Sequence, residues 1–203
     1  MLPFTTARLE CKCTDGTIST GTGFFFNYVV DKDHGLRFLM TNKHVIEDAY
    51  NCTLYVHEAE QTPHGTYRPL DNSFTITING MEYWSGHPDP DIDLCAIPIE
   101  PLHREIEDRH KVPFYTPFEE SLIPTRDQMD SLRAIEDVFM VGYPIGLMDK
   151  VNNLPIIRRG ITASHPAIGR FLRLVNDATP DHKQLHLIAD NYATHKHPAV
   201  QPG

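Results

Sequence analysis

The sequence lacks a long apolar run. No stretch of its 203 residues approaches the roughly 18 consecutive apolar residues of a membrane-spanning helix, so no membrane partner is expected. The opening Met1-Leu2-Pro3-Phe4-Thr5-Thr6-Ala7-Arg8 has neither the basic nor the apolar region of a secretory signal. A cytoplasmic protein is the expectation. Basic charge is also scarce: 18 Lys and Arg stand against 27 Asp and Glu, a net charge of −9. A general nucleic-acid binder needs a basic surface, so no nucleic-acid partner is expected. Cysteine occurs only four times, at Cys11, Cys13, Cys52 and Cys95, too few for a disulfide-stapled secreted fold. Cys11 and Cys13 share a face of a strand-like run and could form half a metal site. No second Cys-x-Cys pair follows, so the four are expected as ordinary buried or half-buried thiols, and neither a metal nor a cofactor is expected. Glycine runs out towards the C-terminus, where only Gly169 and Gly203 follow Gly160.

What is present fits a globular chain of one medium domain or two small ones, with 40% apolar and 22% charged residues. Its first two thirds read as short strands punctuated by turns. Ala7–Cys13 alternates, Asp15-Gly16 marks a turn, and Thr20–Val30 is a β-rich run that contains Gly21 and Gly23. Asp33-His34-Gly35 marks another turn, followed by the strand-like runs Leu36–Thr41, Cys52–Val56, Phe74–Ile78 and Ile92–Ile99. Pro101–Lys111 is charged and reads as a short surface helix or an insertion loop. Val138–Val141 and Leu154–Ala163 are two more strand-like segments. Short strands with little helix between them predict a mainly β barrel or sandwich.

The texture changes after Ile168. Residues 169–203 hold four Lys or Arg against three Asp or Glu, leaving 14 against 24 in residues 1–168. Phe171–Val175 is apolar apart from Arg173, Leu185–Ala189 reads as a strand of an α/β kind, and the polar His195–Gly203 is expected to be poorly ordered.

Two residues stand where acid–base chemistry needs them. His44 follows an apolar strand in the polar turn Thr41-Asn42-Lys43-His44-Val45, and an imidazole there can take a proton from a nucleophile. Asp93 sits at the mouth of the apolar run Leu94-Cys95-Ala96-Ile97, where a partly buried carboxylate wants a cationic or N–H partner. Asp91 is a rival for that role, whereas Asp89 reads as a solvated loop charge. Tyr143-Pro144-Ile145-Gly146 reads as a structural loop at a strand end.

The strand Gly21-Thr22-Gly23-Phe24-Phe25-Phe26, the turn Thr41-Asn42-Lys43-His44-Val45 and the strand Asp93-Leu94-Cys95-Ala96-Ile97 together resemble the trypsin-like peptidases of bacteria. Val141-Gly142-Tyr143-Pro144 and Arg159-Gly160-Ile161-Thr162-Ala163 are similar to the entry of that family's second barrel. The resemblance covers roughly residues 5–168. It implies a trypsin-like β-barrel fold with the active site between two barrels, His44 as general base and Asp93 as the carboxylate that orients it. It also favours Asp93 over Asp91, because Asp93 directly precedes the apolar run as the family's acid does.

The same resemblance calls for a serine in a glycine-rich loop after Arg159–Ala163. Beyond Gly160 the only hydroxyl or thiol side chains are Thr162, Ser164, Thr179, Tyr192 and Thr194, and no Gly-x-Ser-Gly occurs anywhere in the chain. Only about two of the second barrel's six strands can be placed before residue 168. The expectation is therefore a complete first barrel and a partial second one from about residue 135, within a truncated peptidase domain at 1–168. The segment from Leu185 to Pro198, with Asp190 after a strand, resembles a fragment of insertion-sequence transposases of the DDE type. That implies a short α/β-like C-terminal segment at 169–203. The other acids of that transposase pattern are absent, so Asp190 alone is not expected to hold a catalytic metal.

These readings converge on a trypsin-like serine endopeptidase by ancestry, expected to be inactive alone, whose partner is a peptide or protein. The alternatives are a non-catalytic peptide- or protein-binding module and a transposase-derived fragment. An incomplete second barrel would also leave an apolar face of the first uncovered, which implies self-association.

Overall fold

A computed structural model describes residues 2–31, 34–79, 84–100, 106, 110–132, 135 and 137–162. The described chain is mainly antiparallel β, as its short alternating segments lead one to expect. After a 3-10 turn at Leu2–Thr5 come β1 (Thr6–Cys13), β2 (Ile18–Val29), β3 (Gly35–Thr41), a single helical turn α1 (Lys43–Ile46), β4 (Ala49–Gln61) and β5 (Tyr67–Asn79). There follow β6 (Ser85–Gly86), β7 (Cys95–Pro98), β8 (Pro113–Phe114), β9 (Phe118–Glu119), the helix α2 (Arg126–Ser131), β10 (Asp137–Gly142) and β11 (Ile156–Ile161). Strands β1 to β9 form one sheet in the order β5-β4-β1-β2-β3-β7-β6, with β8 on β4 and β9 on β2. Strands β10 and β11 form a separate ribbon.

The described residues fall into two compact units. The larger lies within residues 1–124 and 137–160, and the other includes α2 and residues 161–162. Within the second, the Ile135 N–H donates to the Thr162 carbonyl at 2.9 Å. In α2, Thr125 accepts from the Gln128 N–H while the Gln128 side chain accepts from the Thr125 N–H, a reciprocal cap for a short exposed helix.

Period-2 patterning puts the core on one side of the large sheet. Along β1, Ala7, Leu9, Cys11 and Cys13 are buried while the residues between them are not. Ala7, Leu9 and Cys11 pack with Phe25, Leu39, Val45, Ile46, Leu54, Val56, Ile76, Cys95 and Ile97 into one apolar cluster. Ile106, in the stretch expected as a surface helix or loop, is buried in the same cluster. In β4 the alternation breaks at a register shift between His57 and Ala59, where Val56 and His57 are both buried. The extra residues lie in β5, which advances four residues from Ser73 to Pro69 while β4 advances two from His57 to Ala59.

Three expectations need correction. Cys11 and Cys52 are disulfide-bonded, and only Cys13 and Cys95 are free thiols. The reason is register: β1 and β4 are sheet neighbours although 41 residues separate the two cysteines, and Cys11 faces Cys52 directly. The runs Cys52–Val56 and Phe74–Ile78 are the middle of a much longer hairpin, β4–β5, whose pairing extends to Gln61 opposite Tyr67. Conversely, Ile92–Ile99 is a strand only over Cys95–Pro98, because residues 87–94 turn on themselves through Ile92 N–H to Asp89 and His87 N–H to Leu94 carbonyl bonds. The tail from residue 163, including the change of texture at 168, Asp190 and the transposase-like segment, lies outside the described residues. Among the described residues no helix is long and apolar enough to cross a membrane.

Candidate active site

The register between β3 and β7 brings His44 and Asp93 together. Thr41, the last residue of β3, faces Cys95, the first of β7. The chain leaving Thr41 and the chain entering Cys95 therefore meet at one end of the sheet, three and two residues out. There His44 Nδ1 lies 2.5 Å from Asp93 Oδ2, and the His44 backbone N–H donates to Asp93 Oδ1 at 3.1 Å. Both carboxylate oxygens are thus engaged by one residue. The Asp89 carboxylate and the Asp91 N–H bond to each other within their own loop instead. The Asp91 N–H donates to Asp89 Oδ1 at 2.9 Å, and neither carboxylate reaches His44.

The turn that carries His44 rests on the glycine strand. A Cβ on Gly21 would stand 2.7 Å from Val45 Cγ2, so only glycine lets α1 lie this close to β2. Thr41 Oγ1 donates to the Thr22 carbonyl at 3.0 Å. Tyr143 N–H donates to Thr22 Oγ1 at 2.8 Å, and a Cβ on Gly142 would stand 2.7 Å from the same oxygen. The Gly142-Tyr143 segment at the end of β10 thereby docks on the middle of Gly21-Thr22-Gly23, and Pro144–Gly146 follows as a 3-10 turn.

Two side chains that the sequence left without a role also hold this end of the sheet. Asn42 Nδ2 donates to the Asp93 carbonyl at 2.7 Å, and Lys43 Nζ donates to the Asp89 carbonyl at 3.1 Å. The sequence signal for Asn42 was its place before a helical turn, where Asn serves as an N-cap. Its actual partner lies 51 residues away and depends on the β3–β7 pairing.

Electrostatics distinguish the groups that can work here from those that cannot. Burial opposes ionisation of Asp93. It is outweighed by the hydrogen bond and charge of the His44 side chain and by the N–H groups of His44 and Lys43, which hold the carboxyl below its ordinary value. With Asp93 ionised, the proton of a neutral His44 sits on Nδ1, and Nε2 keeps a lone pair on the far edge of the ring. The His44 side chain is 69% exposed, so that edge is open. The arrangement can therefore accept a proton at Nε2 and stabilise the resulting imidazolium. Cys95, two residues from Asp93, is no nucleophile: burial, with the charge of Asp93 beside it, pushes its thiol up to about 11. Burial pushes the Tyr143 phenol up to about 12. Among the described residues no group of three or more His, Cys, Asp or Glu is placed to hold a metal ion.

The sequence matches no protein-family model and no curated relative. Among solved structures it is similar to that of HL collagenase, with 12% identity and a TM-score of 0.44 over 79% of this chain. The chain spans 58% of that collagenase's length. A likeness of that size assigns neither a family nor an activity.

Proposed function

We propose that this chain carries the acid–base half of a trypsin-like serine endopeptidase, with His44 as general base and Asp93 as the carboxylate that orients it. We propose further that it does not hydrolyse peptide bonds by itself. The observation that carries the reading is the two-point bonding of Asp93 to the ring and backbone of His44. Peptide hydrolysis by this route needs a hydroxyl that attacks the carbonyl carbon while a base takes its proton, and N–H donors around the oxyanion that forms. The base and its orienter are present. The sequence has no Gly-x-Ser-Gly segment, and only two glycines follow Gly160, so residues 1–203 offer no loop that would supply hydroxyl and donors together.

The test is labelling by a fluorophosphonate probe, with His44→Ala as control. The expected result is no labelling of either protein. Stoichiometric labelling that disappears in His44→Ala would show an activated hydroxyl and overturn the claim that the chain lacks a nucleophile. The base–orienter claim is tested separately, through the low-field proton resonance of a His44 Nδ1–H held by a carboxylate. That line is expected in the wild type and absent in both His44→Ala and Asp93→Asn. Tight peptide binding without labelling or that line would favour a non-catalytic binding module.

A further inference from the structure

We infer that Asn42 is a positioning residue for the dyad: its side-chain amide holds the Asp93 backbone so that the carboxylate can reach His44. The inference rests on the reading of His44 and Asp93 as base and orienter.

Hydrogen-bond partners are exchanged at the start of α1. An Asn at the N-cap ordinarily turns its side-chain oxygen onto the N–H of the second or third helical residue. Asn42 occupies that position in extended backbone, at φ −85° and ψ 144°, yet its side chain makes no such bond. The N–H of His44, the second residue of α1, donates to Asp93 Oδ1 at 3.1 Å instead. Asp93 thus caps the turn from across the sheet, and the Asn42 side chain is released. Its Nδ2 turns outward and donates to the Asp93 carbonyl at 2.7 Å.

Asp93 is consequently gripped from one turn at its carboxylate, by the His44 ring on Oδ2 and the His44 N–H on Oδ1 with the Lys43 N–H also acting on it, and thirdly at its carbonyl, by Asn42. The third point is the one that does not involve the carboxylate. It matters because residues 87–94 are irregular and β7 begins only at Cys95, so no ladder bond of a named strand fixes Asp93 itself. A carboxylate on an unfixed loop would sample orientations in which one oxygen faces water. Fixing the carbonyl restricts the backbone from which the side chain projects, and so favours the rotamer in which both oxygens face His44.

Residue choice separates this role from capping. Asp and Ser are as good N-caps as Asn, but Asp has no side-chain donor. At position 42 an aspartate would satisfy the turn from its own side chain, compete with Asp93 for the His44 N–H, and set a second acceptor against the Asp93 carbonyl. Asn42→Asp should therefore keep the fold and lose the geometry, which a purely structural cap would not do.

The experiment follows the low-field His44 Nδ1–H resonance in wild type, Asn42→Asp and Asn42→Ala, with near-ultraviolet circular dichroism to confirm that each variant is folded. The expected result is a line in the wild type that is lost, or broadened beyond detection by exchange with water, in both variants, with the dichroism unchanged. Persistence of the line in folded Asn42→Asp would overturn the positioning role and leave the dyad standing. Absence of the line from the wild type at low temperature would overturn the dyad reading, and the role of Asn42 with it.

Discussion

At the scale of single residues the chemistry is concentrated in Asp93. Its carboxyl is held below the ordinary aspartate value of about 3.9, so over an acid window the unfolded chain binds a proton that the folded chain does not. Stability from this group is present above the unfolded value and is lost as pH falls through the lower folded value. The Asp93 side chain is 46% exposed, so screening limits the contribution to about 0–1 kcal/mol. Urea midpoints measured downward from about pH 5 should fall for the wild type, and the drop should be shallower in Asp93→Asn, where nothing titrates at this position. Equal pH slopes for the two proteins would mean that the bond to His44 does not form in solution. His44 stood out through the ordered set of glycine strand, His turn and Asp strand, because a single histidine in a turn is more often merely solvated, and the structure places it against Asp93. Asp93 was preferred over Asp91 on resemblance, and the register of β3 against β7 supplies the physical cause: the residue two before Cys95 reaches the turn after Thr41. Asn42 was not legible as a partner of Asp93, because its local context predicts a cap and its real bond is a tertiary one.

At the scale of elements, α1 is too short to hold itself and depends on the surface beneath it. One helical turn of four residues makes little hydrogen-bonding energy of its own, so packing of Val45 and Ile46 must position it. Gly21 sets the distance. In Gly21→Ala the new methyl would stand 2.7 and 2.8 Å from the two Val45 methyl carbons, and Val45 is 3% exposed with little room to yield. Overpacking of this kind costs about 1–3 kcal/mol, and the strain should push α1, and with it His44, away from Asp93. A double-mutant cycle with Val45→Ala checks the cause. The methyl removed should relieve the methyl added, giving a coupling of about 1 kcal/mol or more in urea unfolding, whereas additive effects would place the strain elsewhere. Gly16→Ala is a useful contrast, since that glycine sits at φ +84° with no atom within 4 Å and should cost only backbone strain. The same elements show what local sequence could not convey. The Gly21-Thr22-Gly23 strand was readable because glycines inside a β run imply a close neighbour. The outer half of β4–β5 was not, because Tyr67 to Ser73 are largely exposed and their strand character comes from pairing with β4. The Cys11–Cys52 bond was hidden for a related reason: it follows from which strands become neighbours.

At the scale of the whole molecule the unresolved tension lies in the β10–β11 ribbon. A two-stranded ribbon is marginal in water by itself, and this one leaves Val138, Phe139, Met140 and Ile157 exposed, Phe139 at 62%. One edge of each strand has no strand partner among the described residues. An exposed apolar edge of this kind templates pairing with another chain. Antiparallel pairing of two β10 edges about Phe139 would set Val138 against Met140 and no charge against a like charge. Antiparallel pairing of two β11 edges centred between Arg158 and Arg159 would set Arg158 of each copy against Arg159 of the other. Self-association through β10 is therefore expected, by a different surface from the first-barrel face that the sequence suggested. Salt provides a signed test. Two copies each carrying a net charge of −9 repel one another at long range, while the contact itself is apolar. Added salt screens the repulsion within a Debye length of about 10 Å at 0.1 M and leaves the contact intact, so association should strengthen as salt rises. Sedimentation over a range of concentrations should show a monomer–dimer equilibrium that tightens with sodium chloride and is abolished by Phe139→Lys, which places a charge on the pairing edge. A wild-type protein that stays monomeric at every concentration and unfolds cooperatively would show instead that the ribbon is covered within the chain. Dimers that dissociate as salt is added would point to a charged contact away from β10.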